Sequence, residues 1–308
     1  MNDPLISVII PTYNRAGLIE PCINSVLKQT YKNVEVIIVD DCSSDNTEEV
    51  VKNINDPRLR LIKHCSNLGA SAARNTGIKE SAGEFINLLD SDDRIYPSKL
   101  EQQIRLFNDI SDEYGLVYCG FNYTGVNNND KILRSVTPKY RGYVFKNLLG
   151  ENILGSPTPL IRSECFEKCG YFDEELPACQ DWDMWIRISR SFKFDFIDKY
   201  LASVTVHGDQ ISTNLQKKIK GREFIIKKYL EHFSRNNLSS HYRRLGSNYC
   251  LFGQKDKGNK YYIKSIRSNF TNFGSYMNLL MSLISSDLHK FILRKISVKE
   301  TGGTILYP

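Results

Sequence analysis

Several things are missing from this 308-residue sequence, and each absence removes a class of protein. The N-terminus, Met1-Asn2-Asp3-Pro4, has no basic region, and the apolar run from Leu5 to Ile10 is short and interrupted by Ser7, so no signal peptide is expected. No apolar stretch reaches the roughly 20 residues that a membrane-spanning helix needs. The longest later one, Met277 to Ile284, falls well short, which predicts a soluble or peripheral protein. The eight cysteines (22, 42, 65, 119, 165, 169, 179 and 250) contain no CxxC pair. Without a secretory context they read as reduced structural thiols of a cytoplasmic protein. No GxGxxG follows the first apolar run and no GxxxxGK[ST] occurs, so the ordinary glycine-rich phosphate cradles are excluded.

Acidic residues are scarce in the last third. Residues 215–308 hold 18 Lys and Arg against 5 Asp and Glu, a balance of +13, whereas residues 1–214 hold 23 against 30, a balance of −7. Hydrophobic content of 41% and charged content of 25% are ordinary for a globular protein, which excludes disorder and coiled coil as overall descriptions. The length predicts one large domain with an appendage, and the basic tail predicts an anionic partner.

What is present is an alternation of strands and helices. Ile6 to Ile10 is a strand ended by Pro11, followed by the loop Thr12-Tyr13-Asn14-Arg15 and a helix to about Gln29. Val34 to Val39 is a second strand closing in Asp40-Asp41, with Ser43-Ser44-Asp45 supplying N-cap residues for a helix to about Asn53. Leu59 to Lys63 makes a third strand, Ala70 to about Ser81 a helix, and Glu84 to Leu89 a further strand after Gly83. This spacing predicts an α/β fold with a mostly parallel, helix-covered sheet.

The last of these strands ends in Asp90-Ser91-Asp92-Asp93, three carboxylates within four residues. In open α/β sheets ligands bind beyond the carboxyl ends of the strands. Three anions so close repel one another unless a cation holds them, and Mg2+ or Mn2+ suits an oxygen-rich site that bridges carboxylates and substrate phosphates. The alternative is a solvated turn with Asp93 near a helix start before Pro97.

Four blocks in order give a specific resemblance: Ser7 to Asn14, Val39 to Asp45, Asn67 to Asn75 and Leu89 to Asp93. Together they resemble the family 2 inverting glycosyltransferases of the GT-A fold, over roughly the first 210 residues. The resemblance implies a UDP-sugar donor. It implies that Pro11, Thr12, Tyr13 and Asn14 border the base and ribose, and that Asp41 accepts a hydrogen bond from the base. Arg74 would approach the nucleotide or its phosphates. Asp90-Ser91-Asp92 matches the DXD motif, and Asp92 and Asp93 stand nearest the ribose and a divalent metal, Mn2+ or Mg2+. Read from the residues alone, the plainer alternatives are a core aromatic for Tyr13, a cap for the next helix for Asp41 and a solvated helix residue for Arg74.

Residues 116 to 160 are less regular: a strand at Gly115 to Cys119, a turn at 127–130 and a run from Lys131 to Val136. Further on, Gln180-Asp181-Trp182-Asp183 matches the place where the family opens an amphipathic helix with a Glu-Asp pair. Gln180 departs from that pattern, while Asp181 keeps the member expected to be the general base. Inversion needs one carboxylate to take the proton of the attacking hydroxyl. A helix cap is the plainer role for Asp181. Val204 to Ser212 matches the family's terminal block, in which His207 would meet the metal or diphosphate beside a hinge at Gly208.

From about Leu215 the pattern is helical: 217–233, 240–252, 255–268 and two weaker helices near Tyr276 and Leu288. The division expected is a catalytic domain over 1–214 and a basic helical region over 215–308. Lys290, Arg294, Lys295 and Lys299 interleave with Phe291, Ile292, Leu293 and Ile296, a pattern suited to an anionic membrane surface at the inner face of the cell membrane, to a packed helix with a basic face or to an oligomer contact. No nucleic-acid-reading motif is present. The resemblance implies transfer to a saccharide acceptor, in polysaccharide assembly often one linked to a lipid diphosphate. A nucleotidyltransferase, which would carry a glycine-rich loop after its first strand, and a non-catalytic binding module are the other readings.

Overall fold

The computed structural model describes residues 3–125, 131–207 and 214–300, so the expected turn at 127–130 and the hinge at Gly208 lie outside the described residues. The chain opens with strands β1 (Ile6–Thr12), β2 (Val34–Asp40), β3 (Leu59–Lys63) and β4 (Phe85–Leu88), joined by helices α1 (Ile19–Leu27), α2 (Thr47–Lys52) and α3 (Ala70–Lys79). Every residue of β1 is buried, as an apolar run covered on both faces must be. It pairs in parallel with β2 and β4, and β2 pairs in parallel with β3. Its side chains alternate between two faces. Ile6, Val8 and Ile10 join Ile19, Cys22, Ile23 and Val26 of α1 in the main core. On the side of Ile9, α3 approaches so closely that a Cβ on Gly77 would collide with the Ile9 side chain.

The chain continues through β5 (Arg94–Ile95), α4 (Lys99–Asp109), β6 (Tyr114–Gly125), β7 (Ile132–Val136), α5 (Phe145–Gly150), β8 (Leu160–Arg162), α6 (Glu164–Cys169), α7 (Gln180–Ile188) and β9 (Lys193–Val206). The strands form one sheet in the order β3-β2-β1-β4-β8-β6-β9-β5, with β7 paired to β6. β3, β2, β1 and β4 pair in parallel, and β8 runs antiparallel to both β4 and β6. The parallel half therefore carries the marked loops at Pro11 to Asn14, at Asp41 and at Asp90 to Asp93.

The chain divides into two compact units built from interleaved segments: residues 1–145, 153–174 and 183–205 form the first, and 146–152, 175–182 and 206–308 the second. Within the second unit lie α8 (Leu215–Lys228), α9 (Arg235–Leu251), α10 (Lys255–Ser268), α11 (Phe273–Ile284) and α12 (Ser286–Glu300). Side-chain caps start two of them, Asn214 accepting from the Lys217 N–H at 3.0 Å and Ser234 from the Asn237 N–H at 3.1 Å. Helices α9 and α10 cross at two glycines. A Cβ on Gly246 would lie 2.6 Å from the Tyr262 ring, and one on Gly258 would overlap the Cys250 sulfur. No described helix is long and apolar enough to cross a membrane, and all eight cysteines are free thiols.

Candidate active site

The register of the parallel strands decides which loops meet. Thr12 lies opposite Asp40, and Ile9 opposite Leu88, so the chain leaves β1, β2 and β4 at one edge of the sheet. The Asp41 N–H donates to the Thr12 carbonyl at 2.9 Å, and the Leu89 N–H to the Ile9 carbonyl at 3.0 Å. Pro11 and Thr12 are the last residues of β1, and Tyr13 stands beyond it, 45% exposed, which removes it from the core. Asn14 takes a left-handed backbone, φ 51°, and its side-chain carbonyl accepts the Ser44 N–H at 2.8 Å. Cys42, after β2, has φ 64°. Non-glycine residues in this region are under strain, and such strain collects at sites that hold a ligand or a loop in a fixed pose.

Asp41 is buried, and its carboxylate closes the start of α3 rather than that of α2, the next helix in the chain. Its oxygens accept the N–H groups of Leu68 at 2.8 Å and Gly69 at 2.7 Å. His64 lies 2.8 Å away through Nδ1, and Nε2 of the same ring is 3.0 Å from Thr76. Gly69 can take its φ of 93° because it has no Cβ. His64 carries no mark in the sequence beyond its place one residue after β3.

Arg74 lies on α3 and reaches the acidic loop, donating from Nη2 to Asp90 at 2.5 Å, with its guanidinium 5.6 Å from the centre of the Phe172 ring. The next residue, Asn75, holds the same segment through its amide, accepting the Phe172 N–H at 2.8 Å and donating to the Phe172 carbonyl at 2.9 Å. Asp90 is thus paired, Ser91 is buried and Asp92 is half-buried. Asp93 is buried and accepts the Thr205 N–H at 3.0 Å. Burial, then the charges of Asp92 and Asp90, hold the Asp93 carboxyl well above the ordinary carboxylate range. The Cys22 thiol, donating to the Asp90 carbonyl, is raised by burial and by the same three carboxylates.

Asp181 and His207 belong to the second unit. Asp181 stands in the first turn of α7, where its carboxylate accepts the Trp182 N–H at 2.7 Å and the Asn152 amide at 2.9 Å. Two residues earlier Cys179 has φ 67°. Asn14, Cys42 and Cys179 are the non-glycine residues with positive φ among those described, and each neighbours a residue the motifs single out. Trp182 anchors the turn by donating its indole N–H to the Leu148 carbonyl at 2.7 Å, with its ring 5.5 Å from the His241 ring and tilted by 35° to it. His207 is half-buried directly after β9.

The model of the family described as "Glycosyl transferase family 2" matches residues 7–169, just over half of the chain. The chain belongs to glycosyltransferase family 2. Among its relatives is an Escherichia coli protein named UDP-Glc:alpha-D-GlcNAc-diphosphoundecaprenol beta-1,3-glucosyltransferase WfgD, 34% identical over 83% of this chain and 96% of its own length. An uncharacterized glycosyltransferase of Rickettsia prowazekii is 32% identical over 77% of this chain and 74% of its own. A solved fragment of S. aureus TarS in complex with UDP-GlcNAc superposes with a TM-score of 0.66 at 20% identity, covering 96% of this chain and 92% of that one. That likeness extends over the sheet and the C-terminal helices, so the fold of this family 2 glycosyltransferase is of the GT-A type with a helical C-terminal part.

In this glycosyltransferase Asp90 pairs with Arg74 and Asp93 accepts a backbone N–H. Among the described residues no three His, Cys, Asp or Glu side chains converge as a ready cage for a metal. Mg2+ and Mn2+ are commonly bound by one or two carboxylates plus substrate phosphates, however. The charge crowding on Asp93 is what a dication would relieve, so the residues fit such an ion.

Proposed function

We propose that this glycosyltransferase moves a hexosyl or N-acetylhexosaminyl group from a UDP-sugar to an acceptor hydroxyl, with inversion and with Mn2+ or Mg2+ bound, in the assembly of a bacterial surface polysaccharide. The observation that carries the reading is the shared edge at which β1, β2 and β4 end, with its exposed aromatic at Tyr13 and its charge-crowded acidic loop. The UDP-GlcNAc complex of TarS and the donor named for WfgD support the choice of donor. The diphosphoundecaprenol acceptor named for WfgD supports a saccharide on a lipid diphosphate.

In this reading Pro11, Thr12, Tyr13 and Asn14 border the uracil and ribose. Asp41 keeps the loop at Leu68 and Gly69 in place and presents its remaining acceptor capacity to the base. Asp92 and Asp93 would hold the metal, and Arg74 fixes Asp90 so that the acidic loop keeps one pose. A divalent ion bound there would neutralise charge on the departing diphosphate, which is why no side-chain acid is required on that side. Asp181 takes the proton of the acceptor hydroxyl as the new bond forms.

Titration calorimetry of the protein with UDP, with and without Mn2+, tests the donor site. Metal-dependent UDP binding in the wild type that loses its metal dependence in Asp92→Asn is the expected result. Failure of UDP, GDP, CDP and dTDP to bind with either metal would overturn the reading.

A further inference from the structure

Helix α11 is built the wrong way round for a helix whose exposed face meets water. Its buried positions are Ser275, Asn278 and Ser282, and its exposed positions are Phe273, Tyr276, Met277, Leu280, Leu283 and Ile284. At 3.6 residues per turn the exposed set covers an arc of about 120°, opposite the polar one. Each inward polar side chain has a partner in the helices beneath. Ser275 lies 2.7 Å from the Ser265 hydroxyl, the Asn278 amide donates to Ser247 at 3.4 Å, and Ser282 lies 3.9 Å from the Cys250 sulfur. The orientation of the helix is thereby fixed by hydrogen bonds, and its apolar arc is turned outward. Helix α1 of the first unit shows the ordinary arrangement, burying Ile19, Cys22, Ile23 and Val26.

The outward arc continues into α12, where Leu288 and Phe291 are 52% and 53% exposed. The Lys295 ammonium stands 4.5 Å from the Phe291 ring centre, a charge carried beside the apolar face on a flexible stem. A contiguous exposed apolar surface of this kind marks an interaction site. Charge decides between the occupants. Residues 255–300 contain nine Lys and Arg against three Asp and Glu, within a tail whose balance is +13. A second copy would bring the same cationic surface against itself, whereas an anionic lipid surface is complementary to it. The helix has 12 residues, too few to span a bilayer and suited to lying in its interface.

We propose that α11 and the first turns of α12 form a docking face for an anionic lipid bilayer, with Met277, Leu280 and Ile284 entering the acyl boundary and Lys295, beside Phe291, meeting the headgroup phosphates. The inference rests on the second unit alone and is independent of which donor or acceptor is used. A lipid-borne acceptor would profit from it, since docking holds the enzyme in the plane where such an acceptor lies.

Co-sedimentation of the full chain with vesicles tests it, comparing phosphatidylcholine mixed with phosphatidylglycerol against phosphatidylcholine alone. The wild type should partition onto the anionic vesicles and be released by salt. The triple variant Met277→Ser, Leu280→Ser, Ile284→Ser should lose at least roughly tenfold in partitioning, because three apolar side chains leave the interface. All three are exposed, so its unfolding temperature and its UDP titration should match the wild type, which separates failure of docking from failure of the donor site. Three outcomes would overturn the proposal: a wild type that ignores anionic vesicles, a triple variant that binds them as the wild type does, or a wild-type dimer that the triple variant dissolves while neither binds vesicles.

Discussion

Lys99 is the side chain that fits its surroundings least. It opens α4 fully buried, and its ammonium has no hydrogen-bond partner among the described residues. Burial pushes its pKa down to about 8. Below that value the folded protein carries a desolvated charge, while the unfolded chain binds the same proton with a pKa near 10.4. Between about pH 8 and 10.4 the unfolded state therefore holds more protons, and stability rises with pH through that window. Lys99→Met should stabilise the protein by about 1–3 kcal/mol at pH 7, the gain fading above pH 8, as read from urea unfolding at several pH values. Asp41 is the opposite case, a buried carboxylate with two N–H donors and a histidine around it. Asp41→Asn should lower stability by about 2 kcal/mol, because hydrogen bonds to a charged group are lost and one oxygen becomes a donor facing donors. Lys99 lies in a plain stretch of sequence. Asp41 was legible from its place at a strand end, but its partners, 23 to 28 residues away, leave no periodic trace. The same holds for Arg74, whose reach to Asp90 spans 16 residues.

Elements were legible where a regular period ended at polar or turn residues. Leu59–Lys63 and Lys255–Ser268 have the bounds that periodicity gives, whereas β5, with two residues, and α5, with six, are too short to carry a period. The start of α9 lies at Arg235 rather than Ser240, because Ser234 supplies the cap. Periodicity gives the apolar stripe of α11 but not its direction, which depends on the serines of neighbouring helices. Two contacts make α9 testable. A Cβ on Gly258 has no room beside Cys250, so Gly258→Val should destabilise the helical region by about 1–3 kcal/mol, seen as a lower thermal midpoint. His241, buried on α9, accepts from Arg222 at Nδ1 and faces the Leu149 carbonyl with Nε2, the arrangement of a neutral ring. Burial, then the Arg222 charge, push its pKa down to about 3. Since the unfolded histidine titrates near 6.5, the unfolded state binds the extra proton between about pH 3 and 6.5, and acid favours unfolding there. The wild type should lose about 2 kcal/mol between pH 6.5 and 5 relative to His241→Gln, whose neutral amide does not titrate. Equal pH dependence in the two proteins would show that the ring is not held neutral.

At the scale of the whole molecule, the charge balance is the property most easily read and the compact units the least. A balance of −7 over residues 1–214 and +13 over 215–308 is plain from the composition. The assignment of 146–152 and 175–182 to the unit of the C-terminal helices is not, because Trp182 and its indole bond to Leu148 look like any amphipathic helix in one dimension. The family was legible from four short blocks, three of them at strand ends that meet at one edge of the sheet. The choice of sugar and acceptor left no such mark, because pocket shape sets it.

Inverting transfer from a UDP-sugar with Asp181 as base is what we propose. The most direct measurement is turnover of a panel of UDP-sugars with a saccharide acceptor on a lipid diphosphate, with the anomeric configuration of the product read by NMR, in the wild type and in Asp181→Asn. The expected result is a product of inverted configuration and a rate that falls by roughly 10²–10⁴ in the variant while UDP binding is kept. Retained configuration, or a variant that turns over at the wild-type rate, would contradict it.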